Sequence, residues 1–117
     1  MKKIYYLSTC DTCKRIMNSV NISQEFQIQD LKSNPISLKD LEELHGFTGS
    51  YESLFNKRSR LYKERGLKNK NLSELDFKEL ILEHYTFLKR PVFIVNDKVF
   101  IGNSKSTVTS LAAELNE

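Results

Sequence analysis

Ile4-Tyr5-Tyr6-Leu7 is apolar at every position. A strand with no polar face has to be covered on both sides, so this run belongs in the middle of a sheet. After Ser8-Thr9 the period changes. Ile16, Met17 and Val20 stand at helical spacing from Cys13, which predicts a helix opening near Asp11 or Thr12. Phe26 and Ile28, with Leu31 at the margin, alternate with polar Gln27, Gln29 and Asp30 and give a second strand.

Two helix starts further on look alike. Ser37 is placed as an N-cap with Asp40 three positions later and Ile36 able to staple onto Leu41; Ser73, Asp76, Leu72 and Phe77 repeat the arrangement. Leu38, Leu41 and Leu44 form the expected buried stripe of the first helix. Phe77, Leu80, Ile81 and His84 form that of the second. Between them, residues 50–66 read as short helices carrying the basic run "NKRSRLYKERG". Val92–Val95, Asn96-Asp97 and Lys98–Ile101 form a hairpin signal with a two-residue turn. A last amphipathic helix bears Val108, Leu111, Ala112 and Leu115. The order is β-α-β, a helical insert, then α-β-β-α. That is the layout of a thioredoxin-like (glutaredoxin-type) domain, with a four-stranded mixed sheet and helices on both faces. All 117 residues are expected in this single domain, with the insert at about 36–85.

Charge and composition narrow the partners. Lys plus Arg outnumber Asp plus Glu by 18 to 15, too small an excess to imply nucleic-acid binding. No apolar run approaches the roughly 20 residues that cross a bilayer, and four apolar residues after Met1-Lys2-Lys3 fall short of the about 7–15 of an export signal. The expectation is a cytoplasmic monomer with no direct nucleic-acid or membrane partner. In a reducing compartment a close cysteine pair is more often catalytic or redox-sensing than a permanent staple.

The two cysteines of the chain, Cys10 and Cys13, occur as Cys-x-x-Cys between the first strand and the first helix. Unpaired N–H groups and the positive end of the helix dipole stabilise a thiolate there. Cys10 then suits a nucleophile, and Cys13, one turn further in, can attack a mixed disulfide formed on it. Lys14 and Arg15 add positive charge and Asp11 opposes it. A structural zinc site fails on ligand count, because only His45 and His84 remain as partners and neither has finger-like spacing; both read as structural or surface residues. Two passive buried cysteines remain an alternative, which the strand-to-helix position disfavours. Tyr5, Tyr6 and Phe93 read as core.

Arg90 stands directly before Pro91 and a core strand, at the place where this fold brings a proline to face the cysteine motif; the sequence leaves the isomer of Pro91 open. A guanidinium fork there suits a tetrahedral oxyanion. Arg58 and Arg60 in the insert either approach the same pocket or form the wet face of a basic helix.

"STCDTCKR", "LFNKRSRLYKERGL" and "FLKRPVFIVNDKVFIG", in this order and spacing, resemble the arsenate reductase family of the thioredoxin-like fold, a group that includes the Spx-type transcriptional regulators. The resemblance implies Cys10 as nucleophile toward a small oxyanion or disulfide, Arg90 and either Arg58 or Arg60 as oxyanion ligands, and Thr12 and Pro91 beside them. It also implies no bound cofactor, only an external thiol reductant, glutathione with glutaredoxin or thioredoxin. Two departures matter. The family's third arginine falls at about Gly102-Asn103, and Cys13 matches the regulators, in which the pair is a redox switch and the domain binds the C-terminal domain of the RNA polymerase α subunit. The expected function is a thiol-dependent oxidoreductase; the alternative is a redox-sensing regulator.

Overall fold

The computed structural model describes residues 1–116. Two compact units are present: Met1–Asn34 together with the segment from Arg90 onward, and Pro35–Lys89.

The first unit holds β1 (Lys2–Tyr6), α1 (Asp11–Ser19), β2 (Gln27–Asp30), β3 (Val92–Val95), β4 (Lys98–Ile101) and α5 (Lys105–Leu115). The sheet order is β2-β1-β3-β4, so the apolar run does sit in the interior of the sheet. β1 pairs parallel with β2, and β1–β3 and β3–β4 are antiparallel, which makes the sheet mixed. A parallel pair cannot be closed by a tight turn and takes a crossover, here α1. The β3–β4 pair closes through Asn96-Asp97, where Asn96 adopts a left-handed φ of 58°, a backbone that Asn tolerates and two-residue hairpins favour.

Ile4 registers with Phe93, and Phe93 with Phe100, so all three share one face. On that face Ile4, Phe93 and Val95 pack with Ile16 and Val20 of α1, Leu111 of α5 and Phe26. Phe26 meets Phe93 edge to face at a centroid distance of 6.2 Å, the arrangement aromatic quadrupoles prefer. The alternate positions Tyr5, Val92 and Ile94 point to the other face and are fully buried as well. Both faces are therefore covered, as the unbroken apolar run requires.

The second unit holds α2 (Leu38–Thr48), α3 (Arg60–Glu64) and α4 (Glu74–Glu83), with single 3₁₀ turns at Glu52–Leu54, Leu67–Asn69 and Tyr85–Phe87. Its rings centre on Phe55, which stacks on Phe87 at 5.2 Å and meets Phe77 at 4.9 Å and Tyr62 at 5.8 Å. Both predicted caps form. Ser37 Oγ accepts from the Asp40 N–H at 3.1 Å. At α4 the box is complete, the Asp76 N–H donating to Ser73 Oγ and the Ser73 N–H to Asp76 Oδ2. Asp is short for this reciprocal bond, yet it reaches. α2 ends at Gly49, whose φ of 71° lets its N–H donate to the His45 carbonyl.

Two stripe assignments need correction. Leu38 is the first residue of α2 and stays 49% exposed, while Leu41 and Leu44 are wholly buried. His84 is not on the α4 stripe either: the helix stops at Glu83, and His84 turns out as its C-cap, with Nδ1 accepting the Thr86 N–H at 3.0 Å. Leu31 likewise lies beyond β2, buried, its N–H donating to the Tyr6 carbonyl at 2.8 Å.

These two leucines give a paired test. Leu41→Ala should cost about 2–5 kcal/mol through lost burial and a residual cavity. Leu38→Ala should stay within about 0.5 kcal/mol. Shifts of the urea midpoint at unchanged slope will measure both.

Candidate functional site

The site is built on the β1–α1 connection. Leu7 ends the buried run, its carbonyl accepts the Cys10 N–H at 2.9 Å, and Cys10 becomes the N-cap of α1 with extended backbone (φ −98°, ψ 107°). Its carbonyl takes the first helical bond from the Lys14 N–H at 3.2 Å, while its Sγ accepts from the Cys13 N–H at 3.4 Å. The sulfur occupies the place where a Ser or Asp oxygen would satisfy an orphan helix donor. A thiolate satisfies it better than a thiol, because the bond is charge-assisted and the helix dipole adds to it.

Burial pushes the Cys10 thiol up, but the opposing contributions win and hold it below its ordinary value. The Cys13 backbone N–H and side chain lead them, followed by the Arg90 charge and the Thr12 N–H. Cys13 goes the other way. It has no exposed surface, and burial, reinforced by the side chain and charge of Cys10, lifts it to about 12, against a Leu7 backbone bond and Arg90 that lower it. Both cysteines are free thiols. One turn of helix thus holds one easily ionised sulfur and one that stays protonated.

Arg90 and Pro91 reach the same end of the sheet from another element. Tyr5 registers with Val92, so the two residues before Val92 lie alongside the point where β1 gives way to the Ser8–Cys10 connection. The Arg90–Pro91 bond is cis. The end of β4 secures this segment, with the Gly102 N–H donating to the Pro91 carbonyl at 2.9 Å and Asn103 Nδ2 to the Arg90 carbonyl at 3.4 Å. The position expected to lack an arginine therefore holds an amide spent on backbone.

Cys10, Thr12, Cys13, Arg90 and Pro91 all belong to the first unit; Arg58 and Arg60 belong to the second and are exposed. The Arg58 backbone is pinned, its N–H donating to Asn56 Oδ1 at 3.1 Å, while Ser59 Oγ lies 2.9 Å from Thr86 Oγ1. The charge bearing on Cys10 comes from Arg90, while Lys14 and Arg15 are exposed on α1. His45 stacks on Tyr51 at 4.1 Å, and with His84 capping α4 both histidines are engaged locally. Sequence reading missed Asn103 as a strap on Arg90, because no local pattern announces a bond between a strand end and a residue on the neighbouring strand's lead-in.

Alkylation should separate the two sulfurs. At pH 7 iodoacetamide should modify Cys10 while Cys13 stays protected in the folded protein. The Cys10 rate should rise with pH through a midpoint below the ordinary value of a free cysteine. Arg90→Gln removes a positive charge that favours the thiolate, so it should move that midpoint upward. An unshifted or lowered midpoint would exclude Arg90 as a thiolate partner.

Comparison with known proteins places this architecture. The ArsC family model matches residues 5–111. The global transcriptional regulator Spx 2 of Bacillus anthracis is 24% identical over 105 residues, covering 87% of this chain and 79% of the relative. Among solved structures, a Staphylococcus aureus COL protein determined by NMR superposes with a TM-score of 0.72 at 26% identity, covering 95% and 98% of the two chains. The arsenate reductase from Vibrio cholerae gives a TM-score of 0.71 at 22% identity, covering 94% and 96%. The fold is thioredoxin-like, and with the family match running from the first strand to the last helix, this chain belongs to the ArsC family.

Proposed function

We propose that the chain is a thiol-dependent oxidoreductase in which Cys10 is the nucleophile, Cys13 the resolving thiol and Arg90 the group that holds negative charge at the reacting centre. The observation that carries this reading is the pairing of an ionisable N-cap sulfur with a buried, protonated one a turn away.

The cycle follows from the two thiols. The Cys10 thiolate attacks one sulfur of a disulfide; an S–S bond forms to Cys10, the old S–S bond breaks, and one substrate thiolate leaves. Toward a tetrahedral oxyanion such as arsenate, the same attack forms an S–As bond and expels one oxygen as water after protonation. Cys13 then loses its proton and attacks the Cys10 sulfur. The Cys10–Cys13 disulfide forms, the bond to the substrate breaks, and the substrate departs with the electron pair, as a thiolate or as arsenite. Two glutathione thiols, or the dithiol of thioredoxin, supply two electrons to reopen the disulfide. The steps are ordered by charge. While Cys10 is a thiolate it raises Cys13; once Cys10 is covalently capped that charge is gone and Cys13 ionises more readily. Thr12 and Pro91 are further candidate substrate contacts beside Cys10.

A second reading rests on the likeness to the Bacillus anthracis regulator and on Asn103 standing where a third arginine is expected. In it the same pair is a redox switch that sets binding to the C-terminal domain of the RNA polymerase α subunit.

Turnover decides between them. Purified protein supplied with arsenate, or with a small disulfide other than glutathione's, and coupled to glutathione–glutaredoxin or thioredoxin should consume reductant faster than a control without the protein. Cys10→Ser should lower that rate by about a thousandfold or more, as loss of a nucleophile does. Absence of turnover with both substrates and both donors sinks the enzyme reading. Oxidant-dependent capture of the α-subunit domain, abolished in Cys13→Ser, would establish the regulator.

A further inference from the structure

The β1–α1 connection is held from a side that the reaction scheme does not use. Asp30 is the last residue of β2 and registers in parallel with Tyr6 at the end of β1. Its carboxylate reaches beyond the last strand pair, where Oδ1 accepts the Ser8 N–H at 3.0 Å. The same oxygen accepts the Lys32 N–H at 3.1 Å, closing a local turn. The Asp30 carbonyl accepts the Asn34 N–H at 2.9 Å, and the neighbouring Leu31 N–H bonds the Tyr6 carbonyl at 2.8 Å. Ser8 stands two residues before Cys10, and the carbonyl of Leu7, the residue before Ser8, takes the Cys10 N–H. The Asp30 carboxylate thus ties the end of β2 to the connection on which the sulfur is mounted.

We propose that Asp30 is a positioning residue for Cys10: by fixing the Ser8 backbone it keeps the Cys10 sulfur at the N-cap of α1, where the Cys13 N–H meets it. The inference deepens the thiol reading above and rests on Cys10 being its reacting group. The Ser8 side chain, with the Ser8 and Lys32 N–H groups and against some desolvation, holds the Asp30 carboxyl below the usual carboxylate range. The tie is therefore ionised and in place throughout the neutral range in which the thiolate operates.

Geometry and electrostatics predict opposite signs, which makes the idea testable. Asp30 is an anion, so if it acted on Cys10 only through its charge, removing it would favour the thiolate and lower the Cys10 midpoint. If it acts by position, Asp30→Ala frees the connection, weakens the N-cap bond and raises the midpoint. Asp30→Asn retains an acceptor oxygen for Ser8 and loses only the charge, so it should keep or slightly lower the wild-type value.

The measurement is the pH dependence of Cys10 alkylation by iodoacetamide in the full chain, with Cys13→Ser as background and thermal unfolding to confirm that each variant is folded. We expect Asp30→Ala to raise the midpoint by about half a unit to one unit, cutting the neutral-pH rate roughly three- to tenfold, with rescue in Asp30→Asn. Should Asp30→Ala fail to fold, Ser8→Pro deletes both the N–H and the hydroxyl that Asp30 accepts from and must reproduce the upward shift. A fall or no change in Asp30→Ala, or equal upward shifts in Asp30→Ala and Asp30→Asn, overturns the positioning role. An ordinary Cys10 midpoint in the wild-type sequence would instead overturn the thiol reading itself, so the two failures are distinguishable.

Discussion

The antiparallel pairing of β1 with β3 is the constraint from which the rest follows. Both strands are interior and carry apolar side chains to both faces, so a slip of one residue would exchange every pair of faces and bury Lys3 in place of Ile4. That penalty fixes the register, and the register fixes what meets at the end of the sheet. Because the strands run in opposite directions, the exit of β1 and the entry of β3 coincide. The residues that leave one strand, Ser8 to Cys10, are thereby brought beside those that enter the other, Arg90 and Pro91. A thiol and a guanidinium from distant parts of the sequence become neighbours through core packing alone.

The chemistry at that end is a contest between burial and organised polarity. Withdrawal from water opposes ionisation of both sulfurs. At Cys10 it is outweighed because the helix start presents donors that no residue of α1 can use, and because Arg90 is within electrostatic range. At Cys13 burial prevails over the Leu7 backbone bond and Arg90 that oppose it. Neither difference requires an unusual residue; the N-cap and the first buried turn of one helix are simply different solvents for sulfur. The straps on the opposite side, from Gly102 and Asn103 to Pro91 and Arg90, are neutral backbone bonds that organise the cation without competing for its charge.

Elements that depend on local period and capping chemistry were readable in the sequence: the start of α1 behind Cys10, the two Ser caps, the Asn96-Asp97 hairpin and the apolar face of α5. What could not be read depends on distance in sequence. The exposure of Leu38 and the exit of His84 from α4 turn on where each helix meets its packing surface, which periodicity does not encode. Asp30 and Asn103 look like ordinary polar residues at strand ends until the pairing is known; only the register shows that their side chains reach the connections flanking Cys10 and Arg90. The basic run of the insert was visible as charge, but Arg58 is set by its N–H bond to Asn56, which itself bonds Phe87 and Thr86 some thirty positions later, and those partners leave no mark on the local pattern.

The burial of Cys13 has a consequence for survival under oxidative stress. Peroxides attack thiolates that they can reach, and the irreversible rungs of cysteine oxidation, sulfinic and sulfonic acid, are entered through an exposed sulfenic acid. Burial lifts the Cys13 thiol to about 12 and leaves it inaccessible, so under the proposed thiol chemistry oxidant would fall on Cys10. A sulfenic acid formed there lies one helical turn from a reduced sulfur that can condense with it to a disulfide and water. The feature that keeps Cys13 inert at rest thus preserves it as a reserve against permanent damage to its neighbour.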